Sequence, residues 1–223
     1  MKEKVLIVTG GTIVDDLAKE YLIKKNYDLI IAVDGGLEVV DRWDQMPQYI
    51  VGDFDTVSPD IIKKYKQLVG TGKEAPRVME YDSAKDATDT EIALRFALDR
   101  NPSFIHILGA TGSRLDHTLA NLHLLRLGLE YGIPIEIIDQ ANKIYMIDGN
   151  HTLNKSKLYG KYVSILPFTE MVTNVTLKGF QYPLKDKTLS LGESLGVSNE
   201  VIEEIASIEL GQGILIIIES KDA

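Results

Sequence analysis

Aspartate recurs in this chain at one kind of place, directly after a short run of apolar, β-branched residues. Leu29 to Val33 is followed by Asp34-Gly35-Gly36, and Tyr49 to Val51 by Gly52-Asp53-Phe54-Asp55-Thr56. Arg77 to Tyr81 runs into Asp82-Ser83-Ala84-Lys85-Asp86-Ala87-Thr88-Asp89. Phe104 to Leu108 runs into Gly109-Ala110-Thr111-Gly112-Ser113-Arg114-Leu115-Asp116-His117. Turns favour Asp and Gly for geometry alone, yet connections of the opposite kind, such as Asp99-Arg100-Asn101-Pro102, lack paired carboxylates with glycine. Carboxylates crowded in a partly desolvated cleft raise one another's pKa, and a hard cation relieves that cost. Magnesium fits, because it takes one or two carboxylates, keeps waters and bridges phosphate oxygens. Asp53 and Asp55, two apart, fall on one side of an extended strand end.

Phosphoryl transfer asks a protein for positioning and charge neutralisation more than for covalent chemistry, and these residues supply both. Gly35, Gly36, Gly109 and Gly112 would let backbone amides approach phosphates, while Lys85 and Arg114 neutralise charge. A helix starting near Leu115 would aim its positive end at the same place. Gly10-Gly11-Thr12 reads equally as a phosphate turn and as a plain turn, and no Walker A pattern is present. His117 fits capping or nucleotide contact as well as proton transfer, whereas His106 and His123 fall where packing or solvent accounts for them.

The elements that must position these groups alternate. Strands are predicted over Val5–Thr9, Leu29–Val33, Tyr49–Val51, Arg77–Tyr81, Phe104–Leu108 and Ile135–Ile138. Helices are predicted from Ser58-Pro59-Asp60 onward, over Asp89–Leu98 with Thr88 and Glu91 as a capping box, and from Leu115 to about Tyr131 before Gly132 and Pro134. Such alternation implies a doubly wound, mostly parallel, Rossmann-like α/β sheet, whose ligands sit outside the carboxyl ends of its strands. After Asn142 the pattern becomes all-β, with strands expected over Lys143–Ile147, Tyr162–Leu166, Val172–Leu177, Thr188–Leu191, Glu204–Leu210 and Ile214–Ser220. Asp148-Gly149-Asn150 and Gly211-Gln212-Gly213 are turn signals, the second predicted to join the last two strands as a hairpin. The expected organisation is an α/β domain over residues 1–147 and a smaller β-sandwich over residues 148–223.

Composition narrows the partners. With 33 acidic against 24 basic residues, the net charge of −9 and the lack of a basic stripe speak against nucleic acid. The chain has no cysteine, which removes disulfides, thiolate metal sites and a cysteine nucleophile. Its start, Met1-Lys2-Glu3-Lys4 followed by a short strand, is not a signal segment, and no stretch has the length of a membrane span, so a cytoplasmic protein is expected.

The four rim strings, in this order and together with Asn121, resemble the thiamine pyrophosphokinase family. Lys178-Gly179-Phe180-Gln181-Tyr182-Pro183-Leu184 and Gly196-Val197-Ser198-Asn199-Glu200 are similar to that family's β-rich thiamine-binding region, so the resemblance spans nearly the whole chain. It implies transfer of a pyrophosphoryl group from ATP to the hydroxyethyl oxygen of thiamine, with magnesium, giving thiamine diphosphate and AMP. It also implies a homodimer, with thiamine held where two subunits meet. Carried over by motif position, Asp53, Asp55 and Asp89 are the metal ligands, and Asp55, Asp89, Arg114 and Asp116 the catalytic groups. Gly35, Gly36, Lys85, Thr88, Gly109, Thr111, Gly112, Ser113, Arg114 and His117 fall to ATP, and Asp34, Ser198 and Asn199 to thiamine. Thr56 stands where serine is usual, and Ser113 where a second glycine is common, which puts in question how closely that backbone approaches phosphate.

Two other readings compete. Asp53-Phe54-Asp55-Thr56-Val57 also matches the nucleophile motif of haloacid dehalogenase-like phosphatases, with Asp53 phosphorylated, but that motif belongs on the first strand of its sheet and here two strands precede it. A non-catalytic nucleotide or thiamine sensor would keep the binding residues without needing every carboxylate.

Overall fold

The computed structural model describes residues 1–72, 75–82 and 86–222, and the chain forms two compact units, Met1–Gln140 and Ala141–Ala223. In the first, strands β1 (Lys4–Val8), β2 (Leu29–Val33), β3 (Tyr49–Gly52), β4 (Arg77–Glu80), β5 (Phe104–Leu108) and β6 (Ile135–Ile138) lie in the order β6-β5-β1-β2-β3-β4. Every neighbouring pair is parallel. Apart from Lys4 at the start of β1 and the buried His106 in β5, the central strands are apolar; β2 is buried at all five positions, as a sheet covered on both faces requires. The helices are α1 (Asp15–Lys25), α2 (Gly36–Arg42), α3 (Pro59–Leu68), α4 (Asp89–Asp99), α5 (Leu115–Leu124) and α6 (Arg126–Tyr131).

From β1 the chain moves stepwise to β4, then α4 carries it back to β5 beside β1. Right-handed crossovers therefore place α1 to α3 on one face and α4 to α6 on the other. The direction of winding reverses between β1 and β5, which opens a crevice at their carboxyl ends. The α/β architecture expected from the sequence is the one observed.

Two helices escaped the sequence pattern. α1 has only Ala18 fully buried and so shows no clear apolar stripe, and α2, seven residues long, is too short for one. The single helix predicted over Leu115–Tyr131 is two helices. At Leu125 the backbone stays helical, but its amide reaches back to Leu122 and that of Gly128 to Leu125, so 3₁₀-type bonds interrupt the α ladder.

The second unit holds two antiparallel sheets. β7 (Asn142–Ile147), β9 (Tyr162–Pro167), β14 (Leu215–Ser220) and the short β12 (Asn199–Glu200) form one, in the order β12-β9-β14-β7. β8 (His151–Asn154), β10 (Met171–Lys178), β11 (Leu184–Ser190) and β13 (Ile205–Glu209) form the other, in the order β11-β10-β13-β8. Alternate residues from both, among them Val163, Ile165, Ile217, Val175, Leu177 and Ile208, make one buried core, as a sandwich requires. The unit begins before β7, earlier in the chain than the boundary expected at residue 147.

The hairpin predicted at Gly211-Gln212-Gly213 does not form. β13 pairs with β10 and β8, while β14 pairs with β7 and β9, so the turn passes from one sheet to the other. Its backbone is held instead by the start of β10 and the turn before it, through Gly211 N–H to the Thr173 carbonyl and Ile214 N–H to the Thr169 hydroxyl. No helix among the described residues is long and apolar enough to cross a membrane.

Candidate active site

The crevice at the β1–β5 reversal contains a cavity of about 360 Å³. Its walls are the loop after β1, the loop after β2 and the long connection from β5 into α5, with Thr56 of the loop after β3 and Thr90 at the start of α4.

The β5 loop is built so that its carbonyls point into the protein. The Gly109 carbonyl accepts from Gly11 N–H (2.9 Å) and from the buried Thr9 hydroxyl, and the Ala110 carbonyl from the buried Asn121 side chain (2.8 Å). The Thr111 carbonyl accepts from Thr12 N–H at 2.8 Å. In a trans peptide the carbonyl of one residue and the N–H of the next point in opposite directions, and no cis bond is present. Tethering these three carbonyls therefore turns the amides of Ala110, Thr111 and Gly112 away from those donors, and since all three residues line the cavity their amides are available for an anion-binding nest. Gly11 and Gly109 permit it: a Cβ on Gly11 would lie 2.2 Å from the Gly109 carbonyl, and Gly109 sits at φ +74°. The Gly10-Gly11-Thr12 turn is thus a brace for the β5 loop.

Aspartates meet on the neighbouring side. Asp34, in a left-handed turn (φ 44°), accepts from Phe54 N–H at 3.4 Å, and its carboxyl occupies the space that a Cβ on Gly52 would need, 1.8 Å away. Burial, then the charge of Asp89 and that of Asp53, push its pKa up to about 7, against an attractive contribution from the Phe54 amide. Three loops, after β2, after β3 and before α4, thus bring carboxylates within interaction range. Thr88 caps α4 by accepting from Glu91 N–H at 3.2 Å, which fixes Asp89 at the helix start. Asp55 is exposed, and its own N–H donates to Asp53 at 3.2 Å.

A carboxyl with a raised folded pKa stabilises the fold most below its unfolded pKa, near 3.9, and loses that contribution as pH rises toward 7. Asp34→Asn keeps an acceptor for Phe54 and tolerates the left-handed backbone. Discounted for partial solvent access, it should melt roughly 2–4 °C above the parent at pH 8. The gap should shrink toward pH 5 in a thermal scan without added metal; an equal or lower midpoint at pH 8 would show that the repulsion is absent.

Arg114 and Asp116 flank the cavity mouth as a two-bonded pair, at 3.2 and 2.6 Å. The Arg114 guanidinium, helped by the His117 amide, holds the Asp116 carboxyl down at about 2. Asp116 is therefore a poor proton acceptor, and an exposed pair of this kind opens at little cost. Arg114 can turn to an incoming anion.

Of the expected site residues, Asp34, Gly35, Gly109, Thr111, Gly112, Ser113, Arg114 and His117 line the cavity. Asp53 and Asp89 join it through Asp34, and Asp55 through Asp53. Gly36 does not line it: it begins α2, where a Cβ would lie 2.0 Å from the Val8 carbonyl, so helix–strand packing accounts for it. Lys85 lies outside the described residues. In the second unit Ser198 adopts φ 55° and donates its N–H to Ser164. Asn199 is buried, its side chain bonded to the Tyr182 backbone on both sides and to Glu200 N–H, so it shapes that loop from within.

The sequence pattern singles out neither Thr9 nor Asp139, whose carboxylate accepts from the Thr111 hydroxyl at 2.9 Å. Asp139 follows the apolar run Ile135–Ile138, the same signal as the other rim aspartates, but no glycine accompanies it. Among the described residues no three carboxylate or histidine groups are arranged to hold a metal by themselves. That suits a cation which takes one or two carboxylates and completes its shell with water and phosphate oxygens.

Comparison with known proteins agrees on one family. Residues 21–137 match the model "Thiamin pyrophosphokinase, catalytic domain", and residues 150–215 match "Thiamin pyrophosphokinase, vitamin B1 binding domain". A thiamine pyrophosphokinase of Bacillus subtilis (strain 168) is 35% identical over 219 residues, covering 97% of this chain and 98% of its own. A crystal structure of thiamine pyrophosphokinase from Bacillus subtilis superposes with a TM-score of 0.87 at 33% identity, over 99% of this chain and 100% of that one. A crystal structure of the Geobacillus thermodenitrificans protein gives 0.82, also at 33% identity, over 99% and 98%.

Proposed function

Because this chain belongs to the thiamine pyrophosphokinase family, it transfers a pyrophosphoryl group from ATP to the hydroxyl of thiamine, and we propose that its rim aspartates carry that reaction with magnesium. The observation behind the proposal is the convergence on Asp34, where the charges of Asp89 and Asp53 act together from separate loops. When bound, magnesium supplies neutralisation of polyphosphate charge and a template for in-line attack. Asp53, Asp55 and Asp89 are the candidates from which it would draw its one or two carboxylate ligands, with water and phosphate oxygens completing the shell.

The chain's own residues do the rest. The amides of Ala110, Thr111 and Gly112 and the start of α5 bind phosphate oxygens, and Arg114, released from Asp116, neutralises charge on the group in transit. The thiamine hydroxyl oxygen bonds to the β-phosphorus, the bond from that phosphorus to the bridging oxygen breaks so that AMP leaves with that oxygen, and the hydroxyl proton passes to water. Asp116, anionic well below neutral pH, is the wrong group to take that proton but the right one to release Arg114 when phosphate arrives. The acidic rim also suits thiamine's cationic thiazolium, with Asp34 on the nucleotide side and the Ser198 loop of the C-terminal unit as the thiamine contacts. We assign the protein to the cytoplasm and to a homodimer, with thiamine bound where two copies meet.

Purified protein given ATP, magnesium and thiamine should form AMP and thiamine diphosphate in equal amounts, and neither when thiamine or magnesium is left out. A trapped phosphoryl-Asp53 would favour the phosphatase reading, and binding of both ligands without AMP a sensor. Sedimentation in solution should report a dimer.

A further inference from the structure

From the hydrogen bond that ties Thr111 to Asp139, we infer that Thr111 accepts a hydrogen bond from a ribose hydroxyl of ATP, and that Asp139 is the positioning residue that makes it an acceptor. The inference rests on the reading of the cavity as the ATP site and specifies which part of ATP lies there.

A threonine hydroxyl has one proton to give and two lone pairs. In Thr111 the proton is committed to the Asp139 carboxylate at 2.9 Å, and an ionised carboxylate can only accept, so the direction of this bond is fixed. Thr111 lines the cavity, and to any ligand there that its hydroxyl oxygen meets it offers lone pairs alone. Phosphate oxygens are acceptors too and cannot satisfy it. The partner must be a donor, and ATP has two kinds, the ribose hydroxyls and the 6-amino group of adenine.

Distance along the nucleotide decides between them. The Thr111 amide belongs to the nest that faces the phosphates, so its side chain can reach only the group next to the phosphates, which is the ribose. The 6-amino group is at the far edge of the base. Sheet order agrees. Asp139 follows β6 and Thr111 follows β5, on the opposite side of β1 from the Asp34, Asp53 and Asp89 cluster after β2 and β3. The reacting phosphates at that cluster leave the nucleoside toward β5 and β6.

The test is binding of magnesium-ATP by isothermal titration without thiamine, which needs no turnover, against 2′-deoxy-ATP, 3′-deoxy-ATP and the triphosphate of purine riboside, which lacks the 6-amino group. The parent protein should bind at least one deoxy nucleotide about 5- to 10-fold more weakly than ATP, the worth of one hydrogen bond. Thr111→Val should bind ATP and that deoxy nucleotide alike, Thr111→Ser should keep the discrimination, and Asp139→Ala, which frees the hydroxyl to rotate, should lose most of it. A general packing defect would weaken all nucleotides equally and leave the ratio unchanged. Equal ribose discrimination in the parent and Thr111→Val, no ribose discrimination in the parent, or discrimination only against the purine riboside nucleotide would each overturn the inference. A parent that binds no ATP would instead overturn the functional reading beneath it.

Discussion

Asp55→Asn should leave a protein that folds and melts like the parent but forms AMP from ATP and thiamine about 10²- to 10³-fold more slowly, the usual cost of removing one charge-stabilising group from a transfer site. The fold is indifferent to this side chain because it is exposed, and because the bond that shapes its turn, Asp55 N–H to Asp53, is made by the backbone. Asparagine keeps the shape and removes the charge. Asp60→Asn, at the exposed first turn of α3, removes the same charge on the same side of the sheet and should leave turnover unchanged. The comparison separates a specific carboxylate from general loss of acidity, and near-parental turnover by Asp55→Asn would remove that residue from the site.

Lys143→Met should destabilise the protein by about 3–5 kcal/mol, the cost of stranding a buried charge. Glu219 is 1% exposed, and one carboxylate oxygen takes both the Lys143 ammonium (2.7 Å) and the Tyr145 hydroxyl (3.0 Å). Its other oxygen accepts from Tyr159 N–H at 2.7 Å. Without Lys143 the carboxylate keeps the Tyr145 and Tyr159 donors, both neutral, and loses the ammonium that faces it. Glu219→Gln strands less, because the Lys143 side chain, 17% exposed, can reach water. The double variant should recover part of the loss, since the single changes act on one interaction. Chemical denaturation of all three checks the order, and a Lys143→Met midpoint within error of the parent would mean that water already reaches the pair.

That network shows where a sequence stops informing. Leu215, Ile217 and Glu219 share one parity along β14 and all three are buried, so alternation alone places Glu219 inward. Nothing local says that Lys143 and Tyr145, at the other end of the unit's sequence, will be there to meet it. The Gly211-Gln212-Gly213 turn fails as a hairpin signal for the same reason: glycine reports that the chain bends, while the partners of the strands it joins are chosen by the core of the sandwich.

At the active site the division is sharper. The sequence by itself determined the strands, the helical stretches from α3 onward, the doubly wound sheet and the rim chemistry of carboxylate, glycine and arginine, because periodicity and turn chemistry act over a few residues and the carboxyl ends of parallel strands must share an edge. Only the tertiary structure decided what each group does there. Thr9 and Gly109, a hundred residues apart, tether a loop's carbonyl; Asp34 is pushed toward neutrality by burial, joined by the charges of Asp89 and Asp53 from other loops; and Asp139 gives the Thr111 hydroxyl its direction. Each depends on burial or on a partner distant in the chain, and neither is a property of a short stretch of residues.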